Sequence, residues 1–308
     1  MSRLLTAAAL AAVVLGCARP LEPSLTPPEP LAPPSPEPTS APPPEEEDST
    51  REEIEARFDD DVTARGWALA LFDEFGDVAD VEEEYEMDGG FRGIIQIVPE
   101  RPVGVHRKHL NWVLSGQREI AAFLAGLGEH AERPMEFRHS ALSWRFFRSV
   151  GRTTPSMIAY DWEVAYNVSG SLNRSEWAVR ESIVHELFHL NDRVRGGWSR
   201  IEIGYAVDGI VDRCGTDVDC LKPYAPGTTK VRGGTYYAFQ PDNGDIALEY
   251  AAELATRYFL EQRAALAGET HAAPPFKCGP WENARAWQAL ADEFFGGADL
   301  TADCPPAP

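Results

Sequence analysis

The sequence predicts an α+β fold, on two kinds of segment and their arrangement. Stretches with helical periodicity and good helix formers stand at 52–75, 107–127, 177–195, 245–260 and 281–295. Strand-like runs stand within 81–98, 140–150 and 156–168, the first alternating at period two over 81–87. With both kinds in one chain, helices packed on a sheet are expected.

The chain begins with Met1-Ser2-Arg3 and the apolar run Leu4–Leu15, which reads as a signal peptide too short to span a bilayer as a mature helix. Residues 18–50 are dominated by Pro with Ser, Thr, Ala and Glu, and contain nothing to build a core. They read as a semi-rigid spacer of polyproline type, with a reach of up to ~100 Å. What remains, residues 51–304, suits one large domain or one with two lobes, parted near 138/139. A monomer is expected. The net charge of −21 argues against nucleic acid and against an anionic membrane surface as partner.

Glu52–Phe75 is expected to hold a helix with Phe58, Val62, Trp67, Leu69, Leu71 and Phe72 as its apolar content. Val81–Met87 alternates, Asp88-Gly89-Gly90 turns, and Phe91–Val98 returns, which reads as a β-hairpin. Arg107–Leu127 reads as a helix with Leu110, Val113, Leu114, Ile120, Phe123 and Leu124 inward. His106 and His109 near its start have no carboxylate spaced to complete a metal site, and are expected on the surface. Ser140–Val150 and Ser156–Val168 read as two strands joined by Gly151–Pro155.

The next helix carries the chemistry. Asn173 with Glu176 forms a candidate capping box, or Ser175 caps one step later, and Gly196-Gly197 ends the run. Apolar Ile183, Val184, Leu187, Phe188 and Leu190 can bury it on both sides of His185-Glu186-Leu187-Phe188-His189. Residues four apart share a helix face, so both imidazoles can reach one metal ion. Glu186 stands one step round, poorly placed to ligate but able to reach a water on that metal. Two neutral nitrogen ligands and a carboxylate base are what a zinc hydrolase needs. Asp192, seven residues after His185, shares its face and could orient an imidazole or form a surface salt bridge.

Gly196–Gly244 is the least regular part, and its acids Asp208, Asp212, Asp217 and Asp219 match no calcium-loop pattern. The cluster Pro241–Asp245 starts a helix on which Glu249 and Glu253 share a face. Beyond Cys17 there remain Cys214, Cys220, Cys278 and Cys304, in a chain expected to be exported. Two disulfides are expected; of the three pairings, nearness favours 214–220 and 278–304.

At His185-Glu186-Leu187-Phe188-His189 the chain resembles the zincin metallopeptidases, over about residues 173–259. Metzincins place a His or Asp six residues after the second His; here that residue is Arg195, which cannot ligate. Gluzincins take a Glu from a second helix, and by this resemblance Glu249 ligates while Glu253 hydrogen-bonds a ligand His. Glu249-Tyr250-Ala251-Ala252-Glu253 is similar to the anthrax lethal factor-like branch. That branch carries a Tyr before the ligand that helps stabilise the oxyanion, and Tyr236 and Tyr237 are both candidates.

The resemblance therefore implies a zincin-like fold, a mixed sheet with an active-site helix and a second helix carrying the third ligand. It implies zinc held by His185, His189 and Glu249, Glu186 as general base, residues 139–304 as the catalytic part, and hydrolysis of a peptide bond. A polypeptide substrate would add to the sheet edge formed by the strand before the active-site helix. The rival expectation is a zinc-binding but non-catalytic envelope lipoprotein, an adaptor or metal handler; the presence of Glu186 speaks against it. Finally, Val14-Leu15-Gly16-Cys17 resembles a bacterial lipobox. This implies removal of residues 1–16, lipidation of Cys17, and anchorage in the cell envelope, in the outer membrane on its periplasmic face or at the cell surface. The alternative is an ordinary signal cleaved after Ala18.

Overall fold

Two helices, α1 (Pro44–Arg57) and α2 (Val62–Phe75), stand where one is expected over 52–75, and α1 begins inside the stretch 18–50 expected to be spacer. The break lies at Asp59-Asp60-Asp61: Asp61 is extended and its carboxylate accepts the Thr63 and Ala64 N–H groups, both at 3.1 Å, capping α2. Gly76 ends α2 in the left-handed conformation, φ 68°. The computed structural model describes residues 44–89, 93–231, 234–241, 245–269 and 273–305, and residues 43–308 group as one unit. The leader, Cys17, the proline-rich stretch up to residue 43 and the turn residues Gly90 and 242–244 lie outside the described residues.

The run 81–87, expected to be one strand, is two. β1 (Val78–Val81) and β2 (Tyr85–Asp88) are parted by Glu82–Glu84. β2 pairs antiparallel with β3 (Ile94–Pro99), the expected hairpin, while β1 runs parallel to β4 (Ser143–Ser149). Between β3 and β4 lies α3 (Arg107–Gly128). The stretch 156–168 is also two strands, β5 (Met157–Tyr160) and β6 (Glu163–Asn167), joined as a hairpin. Its central residues Asp161 and Trp162 have φ 48° and 65°. Two positive φ values define the turn that matches strand twist, and Asn-Gly is its usual sequence. Here the Arg138 guanidinium sits 3.8 Å from the Trp162 ring centroid and holds it in place.

The sheet runs β2-β3-β4-β6-β5, with β1 beside the first half of β4 and β5 on a free edge. The remaining helices are α4 (Glu176–Val194), α5 (Trp198–Glu202), α6 (Gly204–Cys214), α7 (Val218–Leu221), α8 (Ile246–Leu266) and α9 (Trp281–Phe294). Thus the segment expected to be least regular, 196–244, holds among its described residues three short α-helices and two single 3-10 turns. An α+β architecture with a mixed sheet is what the chain adopts. One sheet face gives Trp144, Phe146, Val164 and Tyr166 to the main core, with Leu110, Val113, Val184 and Phe188. Each such side chain contributes ~1.5–3 kcal/mol by leaving water. The other face carries a smaller cluster of Ile95, Ile97, Phe147 and Ala165.

Two buried polar groups lock this core. Asp77, between α2 and β1, is fully buried and accepts from Gln117 Nε2 at 2.6 Å, Trp144 Nε1 at 2.8 Å and the Leu142 N–H at 2.9 Å. Burial nevertheless pushes its carboxyl up to about 6, the donors opposing. His109, expected on the surface, is 2% exposed, with Nδ1 2.9 Å from the Tyr166 hydroxyl. Burial brings its pKa down to about 4. Its partner stands 57 residues away, on β6.

The cysteines pair as nearness suggests, 214 with 220 and 278 with 304, at Cα separations of 5.4 and 5.1 Å. Asp208, Asp212, Asp217 and Asp219 are exposed. Among the described residues no helix is long and apolar enough to cross a membrane.

Candidate metal centre

The site is built by two antecedents in the sequence: a capped helix with His at i and i+4, and a second capped helix with Glu at i and i+4. Ser175 caps α4, its Oγ accepting the Ala178 N–H at 3.2 Å. Asp245 caps α8, accepting the Ala247 N–H at 2.8 Å. The two helices pack directly on each other, and α4 also packs on β5. Ile183, Val184, Leu187, Phe188 and Leu190 bury α4, and Ala251, Ala252, Leu254 and Ala255 bury α8. Their shared face is left to the polar residues.

There His185 Nε2 and His189 Nε2 stand 3.1 Å apart. Glu249 Oε2 lies 3.3 Å from His185 Nε2, and its Oε1 lies 3.9 Å from His189 Nε2. These three residues offer ligand atoms all within 4.8 Å of one another. Donors ~2.0–2.1 Å from a tetrahedral zinc stand ~3.3–3.4 Å apart, close to the separations here. The chemistry fits as well: two imidazole nitrogens cannot both present lone pairs at 3.1 Å unless a proton or cation lies between them. Two imidazoles and one carboxylate are the donor set of an open catalytic zinc site.

Behind His185, Glu253 Oε1 lies 3.8 Å from Nδ1. Protein charges alone set up opposed tendencies in this buried group. For His185, burial lowers the pKa, but Glu249, then Glu186 and Glu253, outweigh it and raise it to about 9. His189 is brought down to about 3 by burial and by the neighbouring His185. Burial pushes Glu249 up, but hydrogen bonds and charge from His185, with His189 and the Tyr237 hydroxyl, hold it below the usual carboxylate range. Glu186 is raised to about 7, chiefly by burial.

Both His residues, Glu186, Glu249 and Tyr237 line a cleft of about 710 Å³ that also takes in Ile158 and Ala159 of β5. Asn167 N–H donates to Ser156 O at 3.0 Å, which sets the alternation of the β5–β6 ladder. By that alternation, the backbone groups of Met157 and Ala159 face off the free edge. The Ala159 N–H is hydrogen-bonded to Glu186.

The remaining sequence candidates separate. Tyr237 comes to the site, its ring centroid 5.9 Å from that of His185. Tyr236 does not: it is buried, paired with Lys230 in an isolated bridge, and the Lys230 ammonium lies 5.2 Å from its ring centroid. Asp192 is neither a surface salt bridge nor a support for an imidazole; it is 2% exposed and accepts the Ser199 N–H at 2.6 Å, tying the turn into α5. Sequence reasoning missed Asn191, whose side-chain amide both accepts from Arg138 N and donates to Arg138 O, each at 2.8 Å. That clamp joins α4 to the strand hairpin through Arg138 and Trp162, a link between residues too distant in sequence to show a pattern. No protein-family model, curated protein or solved structure matches this chain.

Proposed function

We propose that this chain is a zinc-dependent endopeptidase built on a zincin-like fold. The observation that supports the reading best is the convergence of His185, His189 and Glu249 in one cleft, with Glu186 unligated beside them and a free strand edge along the cleft. His185, His189 and Glu249 would hold the metal; when bound, zinc supplies a Lewis acid for the attacking water and the scissile carbonyl. Glu186 takes the proton of the attacking water and returns it to the leaving amine. Burial raises the Glu186 carboxyl, which favours its taking up a proton. Tyr237 offers its hydroxyl to the developing oxyanion. Met157, together with the carbonyl of Ala159, would offer backbone groups to an extended polypeptide, which would add as a further strand beside β5, while the Ala159 N–H is taken by Glu186.

The same reading includes an exported lipoprotein anchored in the cell envelope through Cys17, with the proline-rich stretch as spacer. Two disulfides suit an oxidising compartment. The substrate is polypeptide rather than nucleic acid, given a net charge of −21.

Glu186→Gln separates enzyme from metal-binding adaptor. The amide cannot take a proton, so the variant is expected to keep about one zinc per chain and lose at least ~10²–10⁴ in cleavage rate on an unfolded protein substrate. Equal cleavage by both forms at equal zinc content would assign the activity elsewhere. A wild-type domain that takes up no zinc after metal-replete expression would end the enzymatic reading.

A further inference from the structure

The loop residue Gly227 stands where no side chain fits. A Cβ built on it would lie 1.7 Å from Glu253 Oε2 and 2.9 Å from Glu253 Cδ. The other oxygen of that carboxylate, Oε1, is the one 3.8 Å from His185 Nδ1. Glu253 is therefore enclosed between a backbone and a ring. Its own backbone cannot retreat, because Ala251, Ala252, Leu254 and Ala255 on α8 are fully buried. Nor has the carboxylate a good alternative position, since Glu249 and Glu181 are the like charges that act on it.

We propose that Gly227 is a positioning residue for the metal centre: its missing side chain is what allows Glu253 to stand behind His185. There its charge, 3.8 Å from Nδ1, favours the proton on that nitrogen and leaves Nε2 free to ligate. The inference rests on the metal-site reading given above and adds to it a residue that neither ligates nor lines the cleft. A Cβ at 227 drives the carboxylate from Nδ1, and His185 loses its orientation although every ligand remains.

The test is a double-mutant cycle on the full chain, with zinc and cobalt(II) affinity read by competition against a chromophoric chelator and the cobalt d–d spectrum recorded. Gly227→Ala and Glu253→Ala are each expected to lose ~10–100-fold in affinity. The double variant is expected to lose no more than Glu253→Ala alone, because the group that clashes is gone. A merely structural glycine would give losses that multiply, and that result overturns the proposal. Wild-type affinity in Gly227→Ala overturns it too. If Gly227→Ala does not fold, a double variant that folds with the affinity of Glu253→Ala supports it, and one that does not fold overturns it. Wild-type protein that binds neither metal fails differently, by removing the metal-site reading itself.

Discussion

Asp77, between α2 and β1, and Glu249, in the first turn of α8, are both carboxylates withdrawn from water, but their neighbours differ in kind. Around Asp77 the side-chain and backbone donors are neutral, among them an amide, an indole and a backbone N–H. Around Glu249 stand two imidazoles, a phenol and two further carboxylates, Glu186 and Glu253. The first set satisfies its acid completely and joins α3, β1 and β4 at one point. The second crowds three acids around two imidazoles, a phenol and one backbone N–H, and its parts make sense around a cation. Burial of a carboxylate alone therefore says little; the character of its partners separates a staple from a site.

The comparison breaks most plainly under truncation. Asp77→Ala leaves three donors in the interior, each at ~1–3 kcal/mol, so a loss of about 4 kcal/mol is expected in urea unfolding, with zinc affinity unchanged. A loss below ~1 kcal/mol would remove Asp77 from the role of staple. Glu249→Ala should act the other way round. Zinc affinity is expected to fall by more than ~100-fold, or ~2.7 kcal/mol, beyond what a change behind a ligand costs. The metal-free protein should stay within ~1 kcal/mol of wild type at pH 8, because His185 can shed its proton once Glu249 is gone. A large loss of metal-free stability would make Glu249 a structural residue like Asp77.

His109 sharpens the same contrast among imidazoles, with the smallest effect. Its folded pKa, about 4, lies below the ordinary value near 6.5, so the unfolded chain takes the proton first. Its contribution is complete above pH 6.5 and is lost as pH falls toward 4. At pH 4.5 the loss is about 2.5 kcal/mol, and His109→Gln, which keeps a partner for Tyr166, should lack that part of the pH dependence in urea titrations.

What was legible in the sequence was what local chemistry dictates. The α4 and α8 helices announced themselves through Ser175, Asp245 and their apolar spacing, and the cysteine pairs through nearness. The Asp61 cap was also written there, among three consecutive acids, and splits a helix that periodicity alone runs together. What stayed hidden depends on partners far along the chain. Nothing near Val78 says that it will lie parallel to Ser143, and nothing near His109 names Tyr166 as its partner. The β5–β6 turn hid for another reason: Asp161-Trp162 is not a turn sequence by local preference, and only Arg138 from outside the hairpin makes it one. At the site, the convergence of His185, His189 and Glu249 was open to a helical-face argument, but which of Tyr236 and Tyr237 comes near it needed the fold of a loop.

The clamp from Asn191 through Arg138 to Trp162 is also a path for mechanical load. A polypeptide laid along β5, as proposed, would pull on the hairpin whenever its far end is tugged or thermally displaced. Without the clamp, that pull would be taken up by bending the edge away from the cleft. With it, force entering at the turn is delivered to α4 two residues from His189, so strand and helix shift together. The distance between the β5 edge and Glu186 on the helix would then be preserved under strain, as in a vice whose two jaws share one frame.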